Sequence, residues 1–115
     1  MPSSNGTFKR GDVVVLPYPY TNRLAEKRRP ALVVSSDEFN ARSGLLWVAM
    51  ITSAAQNSLP DDISLDNEEA GLTVPSVARL AKIATIEADR VIRVAGRIDG
   101  KTRKDIRKTL AEIVD

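Results

Sequence analysis

The chain has 115 residues, a formal net charge of +2, and neither cysteine nor histidine. This length fits one domain, taken as residues 1–115. The missing cysteines exclude disulfides and thiolate metal sites, and the missing histidines remove the usual acid/base of neutral pH. No apolar run approaches the ~20 residues that span a bilayer, and the polar start lacks a signal core. The sequence therefore predicts a cytoplasmic protein, without membrane contact, whose residues 1–8 are flexible.

Charge is unevenly distributed along this chain. The acids concentrate between residues 61 and 69, and the basic residues form separate clusters. These basic clusters are Arg23 with Lys27, Arg28 and Arg29; Arg90, Arg93 and Arg97; and Lys101, Arg103, Lys104, Arg107 and Lys108. The net charge is too small to indicate a polyanion partner, but a polarised surface steers charged partners.

The first strand is predicted at Val13–Leu16. Its apolar residues do not alternate with polar ones, so burial on both faces is expected. Pro17–Tyr20 is expected to end regular pairing, because neither proline donates to a ladder. Tyr18 and Tyr20 lie on one side of extended backbone. Their rings either close the end of the core or offer a platform on which unpaired bases stack. The core role is favoured for one ring, and the role of the other is left open.

The stretch from Lys27 to Ser36 runs three cations into an apolar strand, Ala31–Ser35. Pro30 fixes its own φ and keeps Arg29 out of the helical region, so this guanidinium is presented on extended backbone. A guanidinium held at a strand end is well placed to bind phosphate. The alternative is a solvated charge run before a core strand, and the stretch alone favours this alternative.

A short helix is predicted next, at Asp37–Arg42. Ser35 and Glu38 match a capping box, and Gly44 matches a helix end. Leu45–Ile51 is another continuous apolar strand. Its Trp47 is expected in the core or in an interface.

Two hydroxyls, Thr52 and Ser53, end that strand. They form either the polar lip of a strand or hydrogen-bond donors beside a phosphate. Asp62–Leu65 is predicted as a short edge strand. The acidic residues 66–72 show no metal-ligand spacing and are read as a solvated loop, so no metal site is expected.

Two further strands are predicted, at Ser76–Ile86 and Val91–Ile98. Arg79 and Lys82 interrupt the first of them, so they lie at a sheet edge or point into a site. Gly96 in the second indicates a bulge or bend.

The last predicted element is a helix. Thr102 and Asp105 fit a capping box at its start, and apolar residues recur at helical spacing from Ile106 to Val114. Its cations are read as a solvated face. Several short strands and one terminal helix predict a mainly β fold with short helices, arranged as a small antiparallel barrel.

Ordered blocks of this sequence carry a family resemblance. The blocks are Gly11–Val14, Pro17–Thr21, Lys27–Ser35, Val48–Ser53, Pro75–Ile86 and Gly96–Ile98. With these blocks, the chain resembles the MazF/PemK family of toxin endoribonucleases from about Lys9 to Val114. The resemblance implies an SH3-like antiparallel β-barrel with a C-terminal α-helix, as in the CcdB gyrase poisons, and a homodimer. It implies a type II toxin that cleaves single-stranded RNA without metal or other cofactor and is neutralised by a cognate antitoxin.

The resemblance also assigns catalytic residues. Arg29 matches the catalytic arginine before the proline, Thr52 the catalytic threonine, and Arg79 an arginine of the PemK branch. That branch has an aspartate where this chain has Ala81, so no general base is identified. Asp12 is a carboxylate candidate, but it is expected to cap a turn. Additional RNA contacts are expected from Tyr20, Thr21, Lys27, Arg28, Ser53 and Lys82.

The expected reaction is attack by the RNA 2′-OH on the neighbouring phosphorus, giving 2′,3′-cyclic phosphate and 5′-OH ends. Two alternatives remain open. One is a catalytically weak or inactive RNA-binding member of the family. The other is a CcdB-like, non-enzymatic DNA gyrase poison, which the absence of an aromatic residue in 112–115 disfavours. The antitoxin is expected to lay an acidic, disordered peptide over the Arg29 site.

Overall fold

The computed structural model describes residues 8–19, 27–55 and 57–115. Within these ranges, six strands form one sheet and two α-helices pack beside it. The strands are β1 Asp12–Tyr18, β2 Lys27–Val33, β3 Leu45–Ser53, β4 Asp62–Leu65, β5 Ser76–Glu87 and β6 Arg93–Arg97, and the helices are α1 Asp37–Ser43 and α2 Gly100–Val114. The predictions made for residues 1–7, Tyr20 and Thr21 lie outside the described ranges.

The strand order is β4-β5-β3-β2-β1-β6, with every neighbouring pair antiparallel. The described strands thus form an antiparallel half-barrel followed by a C-terminal helix, which confirms the predicted fold class. β4 lies at one edge of the sheet, also as predicted. No described helix has the length and apolar character that a bilayer crossing requires.

Apolar side chains pack on both faces of the central strands. On one face, Val13 and Leu32 join a cluster that includes Ile106 of α2. On the other face, Val14, Leu16 and neighbouring residues of β2 and β3 form a second cluster. Alternate strand residues point to opposite faces, so a strand covered on both sides needs an unbroken apolar run. Two-sided burial of Val13–Leu16 is therefore confirmed, although Val15 is only partly covered.

The first strand is longer than predicted. It stays paired with β2 through Pro17 and Tyr18, which face Arg28 and Lys27. The expectation that pairing ends at Pro17 was therefore wrong. The paired residues of β6 reach only to Val15, so beyond Val15 the other side of β1 has no strand neighbour among the described residues. A residue without an N–H is tolerated where one side of a strand is an edge.

In both helices the residue that caps the N-terminus differs from the predicted one. Ser36, not Ser35, caps α1 by accepting a hydrogen bond from the Phe39 N–H, and Gly44 ends this helix with φ +70° as predicted. Asp99, rather than Thr102, caps α2. In both helices the capping residue has a side-chain oxygen that accepts a hydrogen bond from the backbone N–H three residues ahead.

Ser35 is instead buried below the start of α1. Its hydroxyl donates to the side-chain oxygen of the fully buried Asn40 and accepts a hydrogen bond from the Trp47 N–H. Asn40 in turn donates to the Phe8 carbonyl oxygen at 3.2 Å. This network joins α1 to β3 and to the segment before β1. Trp47, expected in the core or an interface, is 48% exposed in the single chain.

Two register shifts bend the sheet. Ala49 faces Ile83 and the next residue, Met50, faces Arg79, so Leu80, Ala81 and Lys82 have no partner on β3. In β6 the register shifts beside Gly96, which confirms the bulge predicted there. Bulges of this kind increase the local twist and re-aim side chains.

Candidate functional site

The register of β2 and β3 places a cation and a hydroxyl side by side. Ala31 faces Met50, and each step back along β2 is a step forward along β3. Extending this register by two residues puts Arg29 opposite Thr52, with both side chains on the face of Met50. Cations before one strand and a hydroxyl at the end of the next therefore meet because the strands are antiparallel neighbours.

These side chains border a small pocket, which we call the Arg29 pocket. Its volume is about 90 Å³, and it is lined by Tyr18, Arg29, Pro30, Met50, Ile51 and Thr52. A single water molecule needs about 10–15 Å³ of volume measured in this way, so the pocket admits a small group such as a phosphate. The guanidinium carbon of Arg29 lies 5.2 Å from the centre of the Tyr18 ring, which is within cation–π range.

The charge of Arg29 is not neutralised by the described part of the chain. No hydrogen bond or ion pair joins its guanidinium to any residue within 8–19, 27–55 or 57–115, and no carboxylate from those ranges lines the pocket. The guanidinium is exposed, with its N–H donors available to an anion. Two oxygens of one phosphate match its fork geometry.

Arg79 is held differently. Its Nε and Nη2 donate to the two carboxylate oxygens of Asp62 at 3.2 and 3.0 Å, and Nη2 also donates to the Asn57 carbonyl oxygen. The Arg79 hydrogen bond holds the pKa of Asp62 below its ordinary value. Arg79 faces Met50 across the β3–β5 ladder, so it shares a sheet face with the Arg29 pocket but does not line it. A catalytic role for Arg79 stays a prediction.

The other described residues that were predicted to contact RNA do not line the Arg29 pocket. Lys27 and Arg28 are exposed at the start of β2, next to Arg29. The Ser53 hydroxyl accepts a hydrogen bond from the Ala55 N–H at 3.2 Å and belongs to the turn after β3. Lys82 is exposed in the β5 bulge and does not line the Arg29 pocket. None of these RNA-binding assignments is tested by the geometry alone.

Asp12, the carboxylate considered as a base, has a structural role. One of its oxygens accepts the Lys9 N–H at 2.9 Å, and the other binds Arg97 at 2.6 Å. The hydrogen bond from the Lys9 N–H confirms that Asp12 caps the turn before β1, at the opposite end of this strand from Tyr18. Within the described ranges, no three acidic side chains are grouped as a metal ion would require.

Tyr18 lines the pocket, although the sequence left its role open. The spacing of Tyr18 and Tyr20 predicted that the two rings share a side, but not that the Tyr18 ring meets Arg29. The register of β1 against β2 explains the contact. Leu16 is the partner of Arg29, and Tyr18, two residues further along β1, lies on the same face and pairs with Lys27. Knowledge of the β1–β2 register would have been the necessary signal.

Comparisons with known proteins agree with this architecture. Endoribonuclease MazF9 of Mycobacterium tuberculosis is 33% identical over 85 residues, which cover 70% of this chain and 72% of the relative. A MazE–MazF crystal structure from Deinococcus radiodurans (Form-II) superposes with a TM-score of 0.72 at 21% identity, covering 93% of this chain and 94% of the other. The M. tuberculosis toxin MazF-mt6 gives 0.71 at 18% identity, covering 90% and 96%.

The family model for PemK-like, MazF-like toxins of type II toxin–antitoxin systems matches residues 9–114. That match spans nearly the whole chain, including every described strand and both helices. The solved structures, at these low identities, show the shared fold, whereas the family model and the 33% identical relative show descent. The chain is therefore a member of the PemK-like, MazF-like family of type II toxin–antitoxin toxins.

Proposed function

We propose that this toxin is an endoribonuclease that cleaves single-stranded RNA at the Arg29 pocket and needs no metal ion. The observation that carries the proposal is the meeting of Arg29 and Thr52 in a phosphate-sized pocket without a described carboxylate. The relative MazF9 is named an endoribonuclease, which supports the same activity.

The chemistry suits a site without a protein nucleophile. The RNA 2′-oxygen attacks the adjacent phosphorus, and the bond from phosphorus to the 5′-oxygen of the next nucleotide breaks. The 2′-hydroxyl loses a proton and the departing 5′-oxygen gains one, so the products are a 2′,3′-cyclic phosphate and a 5′-OH. The enzyme must align this attack and stabilise the added negative charge on the phosphate oxygens.

Arg29 takes the electrostatic role, because its two parallel N–H groups can bind two non-bridging oxygens at once. Thr52 donates one hydroxyl hydrogen bond to the same phosphate. Tyr18 keeps the guanidinium in place through its ring face. Removing one such donor from a preorganised site typically costs ~10²–10³ in kcat.

Among the described residues, no carboxylate lines the Arg29 pocket that could accept the proton of the 2′-hydroxyl. Ala81, where the PemK branch carries an aspartate, is exposed in the β5 bulge. A positioned base contributes ~10²–10⁴ in rate. We therefore propose slow cleavage in which alignment and charge stabilisation supply most of the acceleration, and in which Ala81→Asp raises the rate.

The test incubates purified protein with single-stranded RNA in excess EDTA and maps the ends. Persistent cleavage with cyclic-phosphate ends is expected, and Arg29→Ala should lower kcat ~10²–10³-fold. Arg42→Ala is the matched control, because Arg42 is also an exposed arginine over an aromatic ring, 5.7 Å from the centre of Phe39, but on α1. Cleavage that EDTA abolishes, or that Arg29→Ala leaves intact, would overturn the mechanism.

Absence of cleavage by a protein that still binds RNA would favour the second candidate function, an inactive RNA-binding member of the family. The specific observation behind it is the lack of a described carboxylate in the Arg29 pocket. The two candidates separate in one experiment, because binding and cleavage are measured on the same RNA.

We further propose two protein partners. Solved relatives are described in complex with a cognate antitoxin, and a disordered acidic peptide fits the uncompensated Arg29. Such a peptide should inhibit cleavage in competition with RNA.

A homodimer is supported by an exposed apolar groove of about 460 Å³ that includes Trp47, Ile83 and Ile113. Sedimentation equilibrium at micromolar protein measures the mass directly.

A further inference from the structure

A second pocket adjoins the Arg29 pocket and shares Arg29 and Pro30 with it. We call it the Arg93 pocket. Its volume is about 340 Å³, and its other lining residues are Val15, Arg28, Gly71, Leu72, Thr73, Arg93 and Ala95. This size falls within the range of small-ligand sites and exceeds that of the Arg29 pocket nearly fourfold.

The floor of the Arg93 pocket is the β6–β1–β2 ladder. Val15 of β1 faces Pro30 on one side and Arg93 on the other, so the ladder fixes the separation of the two arginine-bearing strands. Arg93 is exposed on β6, and Arg28 is exposed at the start of β2. The cations of the pocket are therefore carried by strands rather than by loops.

The remaining wall is the 71–73 segment, which is held tightly against β6. Gly71 has φ +70°, and a side chain there would overlap the Ala95 carbonyl oxygen. The Arg97 N–H donates to the Glu69 carbonyl oxygen at 3.0 Å, which fastens the preceding loop to the same strand. Thr73 lines the pocket and follows these two contacts to β6, which are made by Glu69 and Gly71.

Positive charge is concentrated in this pocket. Within the described ranges, the guanidiniums of Arg28 and Arg93 have no carboxylate partner, and no acid lines the pocket. Elsewhere, Arg97 is bound by Asp12 and Arg79 by Asp62. Uncompensated cations in a shared concave surface focus positive potential on an incoming anion.

We propose that the Arg93 pocket binds a second phosphate of the RNA strand that is cut at Arg29, with Arg28 and Arg93 as its ligands. This inference rests on the proposed function, which places the cut phosphate at Arg29. Arg28 and Arg29 are consecutive residues of β2 and point to opposite faces, so the two pockets lie on either side of this strand. In this proposal the RNA reaches both pockets by passing the exposed start of β2. Guanidinium forks match phosphate oxygens, and the larger volume accommodates the attached nucleoside.

The test measures binding and cleavage separately. The binding probe is a single-stranded RNA of about 12 nucleotides with 2′-deoxyribose at the mapped cut site, or oligouridylate if no cut is found. Arg93→Ala should raise Kd about 5–10-fold and reduce the slope of log Kd against log salt by ~0.7, the effect of one lost phosphate contact. Lys108→Ala, which removes one exposed cation from α2, is the control and should change Kd less than twofold.

Further readouts distinguish a phosphate ligand from a general charge effect. Arg93→Lys should keep the salt slope but recover only part of the affinity, because an ammonium lacks the bidentate fork. In cleavage of the unmodified RNA, Arg93→Ala should raise KM and leave kcat unchanged, whereas Arg29→Ala should lower kcat. Thermal unfolding of each variant checks that the β6 edge is intact.

An unchanged Kd and salt slope in Arg93→Ala would overturn the inference and leave the proposed function standing. Normal RNA binding with lost binding of a purified acidic antitoxin peptide would also overturn it, and would assign the pocket to that peptide. If wild-type protein binds the RNA through Arg93 but never cuts it, the proposed function fails and the phosphate site stands. If wild-type protein neither binds nor cuts RNA, both fail.

Discussion

The attachment of α2 to the sheet depends on one fully packed side chain, Ile106. It is 2% exposed and joins the cluster that contains Val13 and Leu32. Ile106→Ala removes three carbons, worth about 2.4 kcal/mol at ~0.8 kcal/mol per buried CH₂. The cavity left behind adds to this transfer cost, and large-to-small changes of this type usually total about 2–5 kcal/mol. We therefore expect about 3 kcal/mol less stability and a Tm lower by on the order of 10 °C.

Urea unfolding followed by far-UV circular dichroism measures this loss, with the same m-value for wild type and variant as evidence of two-state behaviour. Ile113→Ala is the matched control. It makes the same chemical change two turns later in the same helix, at a side chain that is 47% exposed. We expect it to cost less than about 1 kcal/mol, because it uncovers little buried surface.

A loss below about 1 kcal/mol for Ile106→Ala would refute this packing of α2. Equal losses in the two variants would show that burial in the single chain does not decide the energetics of the helix. A homodimer that covers Ile113 would produce this second result only at concentrations where it forms. Repeating the measurement over a hundredfold dilution therefore separates packing within the chain from association.

Three further changes probe the rest of the fold. Gly96→Ala should lower Tm by several degrees, because the added Cβ would overlap the Glu69 carbonyl oxygen; differential scanning calorimetry measures the shift. Asn40→Ala should cost about 1–3 kcal/mol in urea unfolding, since it leaves buried hydrogen-bond partners unsatisfied, and an unchanged midpoint would contradict that account. Asp62→Asn tests the bond to Arg79. Because the folded pKa of Asp62 lies below its ordinary value of 3.8, this contribution is present above about pH 4 and is lost as pH falls through the folded pKa. The wild type should thus lose its stability advantage over Asp62→Asn on acidification, and parallel pH profiles would argue against the bond.

The central strands were predictable from sequence because burial on both faces demands an unbroken apolar run, and Val13–Leu16 and Leu45–Ile51 provide one. The edge strand Asp62–Leu65 also lies where predicted. The helix starts were harder to predict from the sequence. Ser35 and Ser36 are adjacent hydroxyls of equal capping propensity, and tertiary burial of Ser35 beside Asn40 decides between them.

The candidate site was predictable as a set of residues but not as an arrangement. Arg29 and Thr52 stand at strand ends that sequence pattern identifies, and their meeting requires only that the strands be antiparallel neighbours. The neutralisation of Arg79 requires the register of β4 against β5, which no local pattern encodes. The position of Arg93 beside β1 was not predicted for the same reason, because β6 returns to the side of β1 from a distant part of the chain.

The bulge in β5 contains a position that can change at little cost to folding. Ala81 is exposed and has no partner on β3, so its side chain contributes little to the core or to the ladder between these strands. Exchange of residues at this position should therefore cost little stability. If an aspartate here transfers a proton, as proposed, a toxin of this kind gains or loses that group in a single substitution while remaining folded.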